Sequence, residues 1–315
     1  MHARHQEMLA DIAALYYLDN ASKVEIARAR GISRFQVARY LDEAKREGIV
    51  SITIHRPHLA AAGVEGLADA LGVLSVTVSR QPQPGGDARD TLARAAAGVL
   101  ADLARPGCTI GVSWSRTLNL MASHLPDLPG CDVVQLAGDL SIGNDGGSGQ
   151  LLHRLGMAAG GRTWPLPAPL LVESPATAAS LRRQPEISAA LERADSLDIA
   201  VVALGTWADG HSTVWERVAP AERLAAARAG AVGECSGRLI AADGSAVGGE
   251  LDDRVIAVEL DQLRKTPSVI AVARGRDGLA AVMAAVHGGL VDHLVVDEPL
   301  AAALLEKLGT TEGTA

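Results

Sequence analysis

Residues 20–54, NASKVEIARARGISRFQVARYLDEAKREGIVSITI, constrain this chain more than any other stretch. They read as two short helices, a tight turn and a strand. The first helix is predicted over 22–29, with Val24, Ile26 and Ala27 facing inward. Ser22 stands at its N-cap, and Glu25 three residues on completes a capping box. Gly31 ends it, because so tight a turn needs a residue that tolerates positive φ. Ser33 caps a second helix running to about Glu47, with Gly48 as its stop. Val37, Leu41 and Ala44 recur at spacings of four and three, so one face of that helix is buried. Arg34, Gln36, Arg39 and Lys45 fall on the opposite face. This is a helix-turn-helix pattern, whose second helix can lie in the major groove of DNA. The strand predicted over 49–54 suggests a winged variant.

The residue types suit that task. Arginine can bond two acceptors of guanine, and glutamine can do the same to adenine. Ser33, Arg34, Gln36 and Arg39 are the base-reading candidates, while Lys45 and Arg46 suit phosphates or solvent. The expected DNA-binding set is Ser22, Ser33, Arg34, Gln36, Val37, Arg39 and Lys45. The bland alternative is a small helical domain with a solvated charged face. The paired caps, the glycine turn and the following strand together favour DNA.

Charge agrees once its distribution is considered. The net charge of −8 argues against nucleic acid, yet residues 1–58 hold nine Lys/Arg against seven Asp/Glu. The basic excess is small and sits with the helix-turn-helix pattern, so affinity would lean on dimerisation and a few well-placed cations. Length suggests two domains, 1–57 and 58–315, and the 48% hydrophobic content fits a globular core. Cys108, Cys131 and Cys235 form no CxxC pair, which supports neither a zinc ribbon nor a redox motif and fits a reducing, cytoplasmic setting. No apolar run approaches the length of about 18 residues that a membrane helix needs. The polar start MHARHQEML has no signal-peptide core.

In chain order, residues 7–18 form an amphipathic helix with Met8, Ile12, Leu15 and Tyr16 as its stripe, the first of a three-helix unit. A linker at 55–58 and a helix over 59–71 follow. From Val73 onward strands alternate with helices. Strands are expected at 73–79, 109–112, 133–136, 199–204, 269–273 and 294–296, and helices at 91–103, 279–286 and 299–308. Residues 309–315 are expected to be a loose tail. The alternation implies a mostly parallel sheet covered on both faces.

Ligands of such sheets bind beyond the carboxyl ends of strands. Three stretches fall there. In residues 111–117 a strand runs into small hydroxyl residues and a helix start, a setting that attracts phosphate; an ordinary capped turn is the alternative. Residues 137–149, AGDLSIGNDGGSG, read as a lid, a hydroxyl-binding loop or a plain loop. In residues 205–210, Trp207 would cover a sugar face or simply pack. Glu234 is a candidate acceptor for sugar hydroxyls or a solvated loop carboxylate. No GxSxG elbow occurs, and His124, His153, His211, His287 and His293 lie scattered, so neither a catalytic residue, a metal site nor a cofactor is expected.

Taken together, these stretches resemble the SorC family of bacterial transcriptional regulators. The likeness rests on residues 16–54, on IGVSWSRTL (110–118), VVQLAGDL (133–140) and DIAVVALGT (198–206), and on GAVGECSGRLIAADG (230–244) and AAVHGGLVDHLVVDEPLAAALL (284–305), in the same order. It implies an α/β protein: an N-terminal winged helix-turn-helix domain joined to a Rossmann-like effector domain resembling sugar-phosphate isomerases and deaminases. It also implies an operator partner, a sugar or sugar-phosphate effector, and a homo-dimer or homo-tetramer, with no membrane partner. Carried over by motif, the effector set is Gly111, Ser113, Trp114, Ser115, Arg116, Thr117, Gly138, Asp139, Gly205, Thr206, Glu234 and Gly275. One departure bears on phosphate. Where the family often has a Gly-Gly pair followed by Lys, this chain has Arg274, Gly275 and Gly278, which leaves Arg274 or Arg276 as the cation or an unphosphorylated ligand. The rival reading is an isomerase or deaminase with an added helical domain. A third is a DNA-binding protein whose pocket has decayed.

Overall fold

The computed structural model describes residues 2–19, 21–50, 66–80, 85–139 and 147–312. The chain divides into two compact units, Met1–Pro57 and His58–Ala315.

In the first unit, α1 (His2–Tyr17), α2 (Lys23–Arg30) and α3 (Arg34–Arg46) enclose one core. Leu9 and Ile12 of α1, Ile26 of α2, and Val37, Leu41 and Ala44 of α3 are buried in it. Both capping boxes form. Ser22 N donates to Glu25 Oε2 at 2.8 Å, and Ser33 N to Gln36 Oε1 at 2.9 Å, each with the reciprocal bond to the serine hydroxyl. Gly31 sits at φ 66°, in the left-handed region a side chain disfavours. Val24, expected inside, is 60% exposed. It precedes Ile26 by two residues, a little over half a helical turn, and so points the other way. The predicted wing strand lies outside the described residues beyond Val50, while Ile49 and Val50 pack on the helical core outside any strand.

The second unit opens with α4 (Leu67–Leu71), the end of the helix expected over 59–71, whose start lies outside the described residues. In order follow β1 (Ser75–Ser79), α5 (Ala88–Leu103), β2 (Thr109–Val112), α6 (Arg116–Met121), β3 (Cys131–Gln135), α7 (Ser148–Ala159) and β4 (Gly160–Trp164). Next come α8 (Pro175–Arg182), α9 (Pro185–Arg193), β5 (Ile199–Thr206), α10 (Pro220–Arg228), β6 (Ala231–Cys235) and β7 (Arg238–Ala241). The unit ends with α11 (Glu250–Asp253), α12 (Leu260–Lys265), β8 (Ser268–Ala273), α13 (Leu279–His287), β9 (His293–Asp297) and α14 (Glu298–Glu312). Residues 309–312, expected in a loose tail, continue α14 as helix.

The strands form a parallel sheet in the order β1-β9-β8-β5-β2-β3-β4. Strict alternation explains it. Ile110, Val112, Val201 and Ile270 enter the core on one face, and Val134, Leu136, Val202 and Ala271 enter the core on the other. From β2 the chain winds outward through β3 and β4, then returns to β5 on the other side of β2 and winds outward again. The β2/β5 boundary is therefore the point where strand order reverses, the place where such sheets open a crevice. The antiparallel hairpin β6–β7 pairs with the end of β5, Leu204 opposite Cys235 and Thr206 opposite Gly233.

Candidate functional site

On α3, the capping geometry sorts the expected DNA-facing residues. Arg34, Arg39 and Lys45 are exposed. Ser22 and Ser33 hold helix starts, and the Gln36 side-chain oxygen is engaged by Ser33 N. Val37 is a correction: it is fully buried among the three helices and packs rather than reads bases. Three cations lie near rings: Arg34 at 4.9 Å from Phe35, Arg39 at 5.7 Å from Tyr40 and Lys45 at 5.8 Å from Tyr17. Hydrogen bonding to Tyr17 raises the Lys45 ammonium pKa. Phe35 is 73% exposed and was not among the residues singled out from sequence.

In the second unit, a cavity of about 440 Å³ opens over the carboxyl ends of β2, β5 and β8. The segment after β2 contributes Trp114, Ser115, Arg116 and Thr117, and the segment after β3 contributes Gly138. The end of β5 supplies Gly205 and Thr206, β6 supplies Glu234, and the turn after β8 supplies Gly275. Nine of the twelve residues read from the sequence therefore meet in one place. Gly111, Ser113 and Asp139 do not line it. Gly111 is held by packing, since a Cβ there would lie 2.7 Å from Leu136 and 2.8 Å from Leu197. Ser113 is buried in the strand end, with its N donating to Val201 O at 3.0 Å. The Asp139 carboxylate accepts from Ser148 N at 2.9 Å and Ser148 Oγ at 2.6 Å, fixing the start of α7.

Two glycines shape the walls by absence of a side chain. A Cβ on Gly138 would fall 2.6 Å from Ala168 O and 2.7 Å from Leu170 N, so this backbone needs glycine. A Cβ on Gly205 would meet Glu234 at 3.0 Å. Glu234 is 8% exposed, and its Oε2 has no hydrogen-bond partner. Burial pushes its carboxyl up to about 7, against the Ser212 hydroxyl and the Thr213 backbone, which both lower it. Ser236 follows at φ 52°, its Oγ likewise unpartnered. The hairpin carrying both is held from behind by Arg238, which is 3% exposed. Arg238 bonds Asp252 Oδ1 at 2.9 Å, Glu259 Oε1 at 2.6 Å and the carbonyl of Ala257 at 3.1 Å, so its buried charge is compensated.

Sequence reasoning missed Arg89, at the start of α5, and the loop residues His211, Ser212 and Thr213, all of which line the cavity. The strand-end rule applied to β1 would have pointed toward Arg89. Of the two arginines after β8, Arg274 lines the cavity, whereas Arg276 is ion-paired with Glu306. Trp207 packs. It is 6% exposed, stacks edge-on against Trp215 at 5.1 Å, and donates from Nε1 to Arg223 O at 3.3 Å. Among the described residues, no group of His, Cys, Asp and Glu is arranged to hold a metal ion, and no helix is long and apolar enough to cross a membrane.

A family profile described as "Putative sugar-binding domain" matches residues 61–306. The chain belongs to this SorC-like sugar-binding family. Relatives of the SorC-like chain match it nearly end to end. The transcriptional regulator LsrR of Klebsiella pneumoniae is 28% identical over 308 residues, 95% of this chain and 93% of that protein. The deoxyribonucleoside regulator of Bacillus subtilis is 29% identical, covering 98% of this chain and 100% of its own length. The fold matches the crystal structure of the full-length sorbitol operon regulator SorC from Klebsiella pneumoniae at a TM-score of 0.79 and 22% identity, over 95% of this chain and 98% of that one. The SorC-like architecture is thus a helix-turn-helix unit followed by a Rossmann-like sugar-binding domain.

Proposed function

We propose that this SorC-like protein is a cytoplasmic DNA-binding transcriptional regulator whose operator binding is controlled by a sugar or sugar-phosphate effector. Residues 1–57 bind DNA through α3, and residues 58–315 bind the effector and hold a homo-dimer or homo-tetramer together. The observation that carries the effector half is the cavity at the strand-order reversal. It gathers Arg89, Arg116 and Arg274 with the hydroxyls of Thr117, Thr206 and Ser236 and the acceptor Glu234. Guanidinium groups recognise phosphate by paired, charge-assisted hydrogen bonds, and hydroxyls with a carboxyl recognise a polyol. Relatives that match nearly end to end carry the names of regulators, which supports binding rather than turnover as the cavity's task.

Control follows from differential affinity. An effector that favours one arrangement of subunits shifts the spacing of the two α3 helices, and dimer half-sites must match that spacing. The test is a fluorescence-anisotropy titration of the full-length protein on DNA from upstream of its own gene, against scrambled DNA, with a panel of sugars and sugar phosphates. Specific binding that one compound shifts is the expected result. Binding equal on both DNAs would overturn the operator assignment, and turnover of a sugar phosphate by the protein would overturn the binding-only role.

A further inference from the structure

Phe35 is the one phenylalanine in the chain, and it lies 73% exposed at the second position of α3. Leaving such a ring in water forgoes the stabilisation that burying it would bring. Its neighbours in the first turns have other employment: Ser33 and Gln36 hold each other in the capping box, and Val37 is in the core. The side chains left presenting chemistry outward from this end of α3 are Arg34, Phe35 and Arg39. The Arg34 guanidinium lies over the Phe35 ring, 4.9 Å from its centroid, so the cation and the apolar ring are presented side by side.

We infer that Phe35 is a specificity-determining residue that contacts the 5-methyl group of a thymine in the major groove, on a base pair next to the guanine read by Arg34. This rests on the assignment of α3 as the DNA-reading helix. Thymine's methyl is the apolar feature of the major groove, and phenylalanine is among the side chains that read it. Arginine reads the two acceptors of guanine. A stacked arginine–phenylalanine pair on one helical turn therefore reads a guanine–thymine neighbour pair, with the ring favouring thymine over cytosine, which has no methyl. Charge complementarity supports this occupant over an apolar protein partner: α3 carries Arg34, Arg39, Lys45 and Arg46, all exposed, against Asp42 and Glu43, a net positive helix with Arg34 and Arg39 nearest the ring.

The test uses the full-length protein and duplex DNA selected by it from a random pool. Each thymine of the selected site is replaced in turn by deoxyuridine, which lacks only the methyl. The wild type should lose about fourfold in affinity at one thymine per half-site, the worth of one buried methyl-sized group. Phe35→Ala should bind more weakly and show no loss at that position, while Arg34→Ala should keep the deoxyuridine sensitivity and relax the neighbouring guanine. Phe35→Leu, which keeps a shorter apolar group, should fall between. Specific wild-type binding without any deoxyuridine sensitivity, or equal sensitivity in Phe35→Ala, overturns the inference and leaves the operator assignment standing. Failure of the pool to yield any preferred sequence overturns both.

Discussion

Burial lifts the Glu234 carboxyl from the ordinary 4.5 to about 7, and this has a sign that can be checked. Between pH 4.5 and 7 the folded protein keeps a proton that the unfolded chain has lost. The stability tied to the neutral form is fully present below 4.5, falls as pH rises, and is gone above 7, a swing of about 3 kcal/mol. Glu234→Gln keeps the neutral shape without the titration. It should match the wild type in denaturant unfolding at pH 4.5 and exceed it at pH 8. A second residue-scale expectation concerns the two neighbouring arginines. Arg274 lines the cavity while Arg276 is committed to Glu306. A hydrogen bond to a charged group is worth about 1.5–3 kcal/mol, so Arg274→Ala should weaken a phosphorylated effector roughly ten- to a hundredfold by calorimetry. Arg276→Ala should leave that affinity unchanged.

The start of α3 depends on Ser33, whose hydroxyl accepts from Gln36 N at 3.1 Å. Ser33→Ala should lower the stability of the N-terminal unit by about 1 kcal/mol, read as a shifted midpoint in helical circular dichroism. Gly138→Ala should act on the cavity wall instead. Its Cβ meets backbone atoms of residues 168–170 that cannot swing aside, at a cost of about 1–3 kcal/mol, with effector affinity lost in the same titration. At this scale the sequence was most legible where signals are local. The capping boxes, the Gly31 turn and the apolar runs of β2, β5 and β8 each carry their own cause. Strand β4 was not read, because Gly160-Gly161-Arg162-Thr163-Trp164 is an exposed edge with no apolar alternation. It is held by its neighbour β3, with Arg162 N donating to Asp132 Oδ1 at 3.0 Å. Helices α8 to α12 are short and bury few residues each, so their periodicity was faint. The cavity was legible wherever a strand end announced it. Arg89 and the 211–213 loop were not, because only the tertiary fold brings them to the same opening.

For the whole molecule, net charge and binding surface have opposite signs: −8 overall, with a slight basic excess in residues 1–58. DNA affinity should therefore fall steeply with salt, with a logarithmic slope of roughly −0.9 per phosphate neutralised. Lys45→Ala should weaken binding to all sequences alike and reduce that slope by about 1, measured by titration at several salt concentrations. The topology also imposes an order of assembly. The three helices of the head and their shared core lie within residues 2–50, built from contacts close in sequence. The sheet is different: β1 at residues 75–79 pairs with β9 at residues 293–297, and Ser75 Oγ meets His293 Nδ1 at 2.8 Å. Pairings so distant form late, and chains fold from the N-terminus as they emerge from the ribosome. A nascent chain thus carries its three-helix core while β1 still waits for a partner, β9, that is not yet translated. Synthesis interrupted before residue 293 would leave the helical head attached to a sheet whose β1 edge has lost its partner.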